Sequence, residues 1–167
     1  MDYRNFTVLF KEQVSRLAYN RQLELAIAIS VKLFPYYEAF VAHYKWGNPG
    51  LLMEAIKMCD QARVSPTDKL KFAKMAEQVE TITPHMDDYD DYIGSYALNA
   101  CQAVYYSLQF LINNDYINIF YIGISLTDTI DFKVQEDNKL PEEEIDNHPE
   151  MIEVRNYLIG VTANINV

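Results

Sequence analysis

Between Ile93 and Ile112 the chain carries Ala97, Ala100, Cys101, Val104, Leu108 and Leu111 at three- and four-residue intervals. Tyr96, Leu98, Ala103, Tyr105 and Phe110 fill the remaining faces of the same stretch. A helix that is apolar nearly all round cannot lie on a surface, because only neighbouring elements can keep water off every side of it. The spacing therefore predicts a buried central helix with Asn99 as its most interior polar residue. The rest of the chain must supply the sheath.

Those companions are legible in the same periodicity. Phe6, Leu9, Phe10, Val14 and Leu17 form one stripe of a first helix, and Leu23, Ala26, Ile27, Ser30, Val31 and Phe34 form a second. Asn20 reads as the cap of that second helix, and Pro35 as a kink or a fresh start leading to Tyr37, Phe40 and Val41. Asn48 before Pro49 signals another start, with Leu52, Ala55, Ile56 and Cys59 as its inner stripe. Ser65, Pro66 and Asp68 announce the next helix, whose expected buried face is Leu70, Ala73, Ala76, Val79 and Ile82. Loss of the Ser65 cap is expected to cost about 1 kcal/mol. After the central helix, Asp115 caps a segment with Ile119, Ile122, Leu126, Ile130 and Phe132 inward and Asp128, Asp131 and Glu136 outward. An acidic connection from Leu140 to Glu150 contains short helical turns, and a last helix begins near Pro149.

Five glycines in 167 residues amount to about 3%, against a usual share of about 7%, which disfavours strands joined by tight turns. The expectation is an all-α, single-domain helical bundle of about seven helices, spanning residues 1–167, with a buried central helix. Nothing in the pattern repeats, and no linker marks a domain boundary.

Charge narrows the partners. The net charge is −10, unevenly spread. Residues 1–45 hold six bases and four acids, and residues 128–153 hold ten acids and two lysines. A surface so dominated by carboxylates repels phosphate backbones, so nucleic acid is not an expected partner. The longest apolar run, Leu23 to Phe34, is interrupted by Glu24, Ser30 and Lys32 and falls short of the roughly 18 residues of a membrane span. The opening Met1 to Phe10 lacks the continuous apolar region of a signal peptide. Together these favour a soluble, cytoplasmic protein, in which Cys59 and Cys101, each within an apolar stripe, stay as buried free thiols.

With these segments in order, the chain resembles a bacterial all-helical family of unknown function, the YjaG-like family. Three stretches carry the resemblance. Leu33, Phe34, Pro35, Tyr36, Tyr37, Glu38, Ala39 and Phe40 look like the family's aromatic-proline-tyrosine element, followed by Gly47, Asn48 and a helix. Asp87 to Cys101 is similar to its acidic-aromatic loop and the helix behind it. The ending Ala163, Asn164, Ile165, Asn166 and Val167 is similar to its tail. The chain departs from the family pattern at Val31 and Lys32, where a Glu-Arg pair is usual, at Ile93 and Tyr96, and at Asn99, so no role of that polar pair carries over. The resemblance implies a helical fold, no known catalytic residues, and an association with histidine-kinase signalling.

The densest chemistry lies at the entrance to the central helix, where Asp87, Asp88, Tyr89, Asp90, Asp91 and Tyr92 follow His85. Four carboxylates in six residues suit a hard cation or a basic partner, yet they lack the alternate spacing and central glycine of a calcium loop. The plain alternative is that Asp90 or Asp91 caps the helix while the others are solvated. Asp87, Asp88 and His85 are weak candidates for a metal set. His43, His85 and His148 show none of the zinc or di-iron spacings, and no nucleophile elbow or phosphate loop occurs. No cofactor is expected, and no catalytic signature is found. Tyr36, Tyr37, Tyr44, Trp46, Tyr89, Tyr92, Tyr96, Tyr105 and Tyr106 gather near helix ends, as in core packing, in a protein interface, or in a ligand pocket. Three functions remain open: a protein-contact module that forms a homodimer or meets a signalling component, a small-molecule or divalent-cation binder using the acidic loop and its tyrosines, and an enzyme whose dispersed site would need His85 and two loop carboxylates around one concave pocket.

Overall fold

The structure is a computed structural model and describes residues 1–65, 68–89, 91–136 and 139–163. Within them lie eight α-helices and one short 3-10 turn, with no strand among the described residues. The helices are α1 (Tyr3–Arg16), α2 (Tyr19–Tyr44), α3 (Pro49–Gln61), α4 (Lys69–Thr81), α5 (Tyr92–Asn113), α6 (Tyr116–Val134), α7 (Glu142–Asn147) and α8 (Pro149–Ala163). The eighth arises because the acidic connection expected to hold only short turns folds Glu142–Asn147 into a helix of its own, with three glutamates favourably placed in its first turn.

α5 is the predicted central helix. It packs most extensively on α2 and α6, and also on α4 and α3, while α1 and α8 close over α6 from outside. Its residues from Gly94 to Leu111 supply thirteen buried positions, including Ala97, Cys101, Val104 and Leu108. The sheath is not complete: Leu98, Gln102, Tyr105 and Gln109 are only half-buried, and their spacing of three and four makes them one stripe facing outward. Inside, Asn99 donates to the Thr129 hydroxyl at 3.1 Å, and Ser30 meets Ser107 at 3.2 Å, so the polar atoms that tie α5 to α6 and α2 are satisfied.

Helix starts follow side-chain chemistry, with two corrections. Asn48 accepts from the Leu51 N–H and Asp115 from that of Ile117, as their sequence signals imply. The α4 cap is Asp68, which accepts from the Lys71 N–H at 3.1 Å, and not Ser65; Pro66 lies outside the described residues. A start at Lys69 puts Phe72, Met75, Ala76 and Val79 on the inner stripe and turns Leu70 to solvent, 67% exposed. α2 begins before the expected Asn20, with Ala18 in the cap position and no capping side chain. The buried Gln22 amide instead donates to the Val14 carbonyl at 2.9 Å and stitches α1 to α2. Pro35 sits within α2 without ending it. At 26 residues α2 is long and apolar enough to cross a bilayer by length and composition, though its inner face is spent on α5, α3 and α6.

At the α1–α8 side, the buried Arg155 guanidinium pairs with Asp146 at 2.7 Å and donates to the Met1 carbonyl at 2.8 Å, over the rings of Tyr3 and Phe6. Its Nε finds no partner among the described residues. Asp128, expected to point outward, is half-buried there, because α1 and α8 cover that part of α6.

Candidate functional site

α2 runs antiparallel to α5, so the C-terminal end of α2 meets the N-terminal end of α5, and the C-terminal end of α6 joins them. This brings most of the residues marked in the sequence to one end of the bundle. Phe40 is fully buried at its centre, with ring centroids of Tyr89 at 4.8 Å, Tyr44 at 5.1 Å, Tyr37 at 6.0 Å and Trp46 at 6.1 Å. Tyr89 also stacks edge-on to Tyr44 at 4.6 Å. Gly94 permits this: a Cβ there would stand 2.8 Å from the Tyr89 Cβ, so only glycine lets the tyrosine lie back on the first turn of α5. Beside this cluster, Tyr96 packs on Tyr36 at 5.4 Å and on Tyr92 at 6.5 Å, and Tyr92 reaches Phe132.

The acids divide by role. Asp91 caps α5, one oxygen accepting from the N–H groups of Ile93 and Gly94 and the other from the Tyr44 hydroxyl at 2.8 Å. The cap therefore also locks the aromatic cluster to the helix. Asp87 and Asp88 lie exposed on the 3-10 turn, which Ser95 holds by donating to the Met86 sulfur at 3.3 Å. Asp90 lies outside the described residues. Tyr96 donates to Glu136 at 3.3 Å, and burial first, with the Glu136 charge second, pushes its phenol well above the usual range.

Tyr37 does not reach the surface. Its hydroxyl donates to the Ile82 carbonyl at 2.8 Å and accepts from the Asn48 N–H at 3.1 Å, so it clamps the α2–α3 turn to the end of α4. Burial pushes it up to about 12, which makes it a structural phenol. The others stand outward to different degrees. Tyr36, Tyr44, Tyr89 and Tyr92 are half-buried, Trp46 is 41% exposed and Met86 50%.

His85 belongs elsewhere. It lines a groove of about 270 Å³ between the end of α4 and the open stripe of α5, with Glu80, Thr83, Leu98, Gln102, Tyr105 and Tyr106. Among the described residues no three His, Cys, Asp or Glu side chains converge to hold a metal ion, so His85, Asp87 and Asp88 do not form a ligand set there. Sequence reading missed Glu80, Thr83, Leu98 and Gln102. Gln102 and Gln109 in an otherwise apolar helix were the one available signal for an open side.

The fold and these surfaces define a single-domain all-α protein that gathers most of its sequence-marked aromatic and acidic residues at one bundle end. The chain belongs to the family described as "Protein of unknown function (DUF416)", whose profile matches residues 9–164. It is similar in structure to a DUF416 family protein from Shewanella baltica OS155, with a TM-score of 0.79 and 21% identity over 95% of this chain and 86% of that chain. No curated protein matches.

Proposed function

We propose that this protein acts by contact, as a non-enzymatic cytoplasmic module whose docking patch is the aromatic end of the bundle. The observation that carries the reading is the packing around Phe40, which holds Trp46, Tyr44 and Tyr89 at the surface as rigid, partly uncovered rings beside Met86. Pre-ordered aromatics lose little rotamer freedom on binding, and they dominate interface energetics when ringed by polar residues. The rim here is Asp87, Asp88 and Asp91, which favours a partner bearing bases around an apolar centre. The net positive first third of a second copy supplies such bases, so homodimerisation is the first contact to test. A signalling component remains the class of further partner that the family resemblance suggests. Within the family, the Leu33 to Phe40 element and the acidic entry to α5 support a YjaG-like member.

Photocrosslinking residues placed at Trp46 and at Val64 test the patch. Val64 is 90% exposed, and the Arg63–Glu24 ion pair puts it at the opposite end of α2. Adducts in cells from position 46 and not from 64, with a dimer in sedimentation that Trp46→Ala dissociates, are the expected results. A monomer at high concentration with no adduct from position 46 overturns the reading.

A further inference from the structure

We propose that the groove between the end of α4 and the open stripe of α5 binds a small organic cation, an ammonium group carrying an apolar body. The residues that line the groove select that chemistry, and none of them belongs to the aromatic end.

Glu80 lies in the last turn of α4 and lines the groove, yet its carboxylate forms no ion pair or hydrogen bond among the described residues. An acid is poorly placed there, because the helix dipole already concentrates negative potential at a C-terminus, where a cation is stabilised instead. That turn of α4 contains no base to offset either charge. No lysine or arginine lines the groove, whose basic side chain is His85, so these two sources of negative potential meet no permanent cation at that mouth.

The floor supplies the matching surface. Tyr105 and Tyr106, which both line the groove, meet edge to face at 5.8 Å with their planes 72° apart, and Tyr121 packs on Tyr106 at 5.3 Å. Ring faces attract cations through their quadrupole, more strongly where water is partly excluded. Both rings are half-buried and ride on α5, which the core holds rigid. Leu98 offers an apolar contact on the same stripe for the ligand body, and the Gln102 amide, unpaired among the described residues, offers an acceptor for an ammonium N–H. A volume of about 270 Å³ suits a fragment-sized molecule, sitting just under the roughly 300 Å³ at which drug-sized sites begin. The overall charge of −10 favours approach of a cation from solution.

The probe is 2-phenylethylammonium, with 2-phenylethanol as its neutral counterpart, followed by amide chemical shifts of the folded chain. Saturable shifts confined to the end of α4 and to Leu98, Gln102, Tyr105 and Tyr106 are expected, with the alcohol about tenfold weaker or more. Glu80→Gln, a change at an exposed position, should bring the amine down to the affinity of the alcohol. Trp46→Ala should leave it unchanged, which separates this proposal from the docking patch. Equal binding of amine and alcohol overturns the proposal, as does undiminished amine binding by Glu80→Gln, or the absence of any saturable shift in the low-millimolar range.

Discussion

Asp128 is a carboxylate held where its charge is unwelcome. Burial, and secondly the neighbouring Asp131, push it up to about 6 from 3.8, and the Tyr3 phenol feels the Asp128 charge in turn. The folded state thus holds this proton more tightly than the unfolded chain does. Its contribution is neutral below about pH 4, turns into a cost as pH rises through 6, and stays a cost above. Asp128→Asn is expected to stabilise the protein at pH 7.5 by roughly 1 to 2 kcal/mol, after discounting for solvent at a half-buried site, and to lose that gain near pH 4. Denaturant titrations at the two pH values decide it. Gly123 makes a contact of the opposite kind, since a Cβ there would stand 2.2 Å from the Phe10 ring, itself buried and stacked on Phe6. Gly123→Ala should cost about 1 to 3 kcal/mol by forcing α1 off α6, read as a lower denaturation midpoint.

Among the elements, α4 shows how a start signal misleads. Ser65 and Asp68 both have capping side chains and lie three residues apart, and only the backbone geometry decides which accepts from the first turn. Asp68→Ala is now expected to cost about 1 kcal/mol and Ser65→Ala almost nothing, a reversal that paired chemical denaturation curves can read. At α5 the cap has two tasks, because Asp91 also accepts from Tyr44. Asp91→Ala should exceed an ordinary cap loss of about 1 kcal/mol and should loosen Tyr44 and Tyr89, visible as weaker near-ultraviolet circular dichroism of the tyrosines.

For the whole molecule, the packing around α5 governs access to its thiols. Cys59 and Cys101 are buried in the core, and burial pushes each up to about 12. Neither should react with a thiol reagent at pH 8 in the native state, and both should react at the rate of global unfolding once denaturant is added. Fast labelling of one cysteine in water would reveal local opening of the layer over it. The long-range tie between Arg155, Asp146 and the Met1 carbonyl works at the same scale, joining α7 and α8 to the start of the chain. Removing one member of such a buried pair leaves the other unpaired, so Arg155→Ala should cost about 3 to 5 kcal/mol in a melt, well above a surface truncation.

The local pattern of apolar residues determined the helical class, the burial of α5 and the inner stripes of α1 and α3, because a 3.6-residue period is written in neighbouring positions. A cap at Asp90 or Asp91 and the gathering of tyrosines at helix ends were legible for the same reason, and the structure shows the cap to be Asp91. Separations of forty residues or more carry no such local mark. The pairing of Tyr44 with Asp91, the withdrawal of Tyr37 into the core and the half-burial of Asp128 all follow from which helices lie side by side. So does the open stripe of α5. Its apolar residues promised contact on every side, but the finite number of companion helices leaves one side uncovered, and only the assembled bundle decides which.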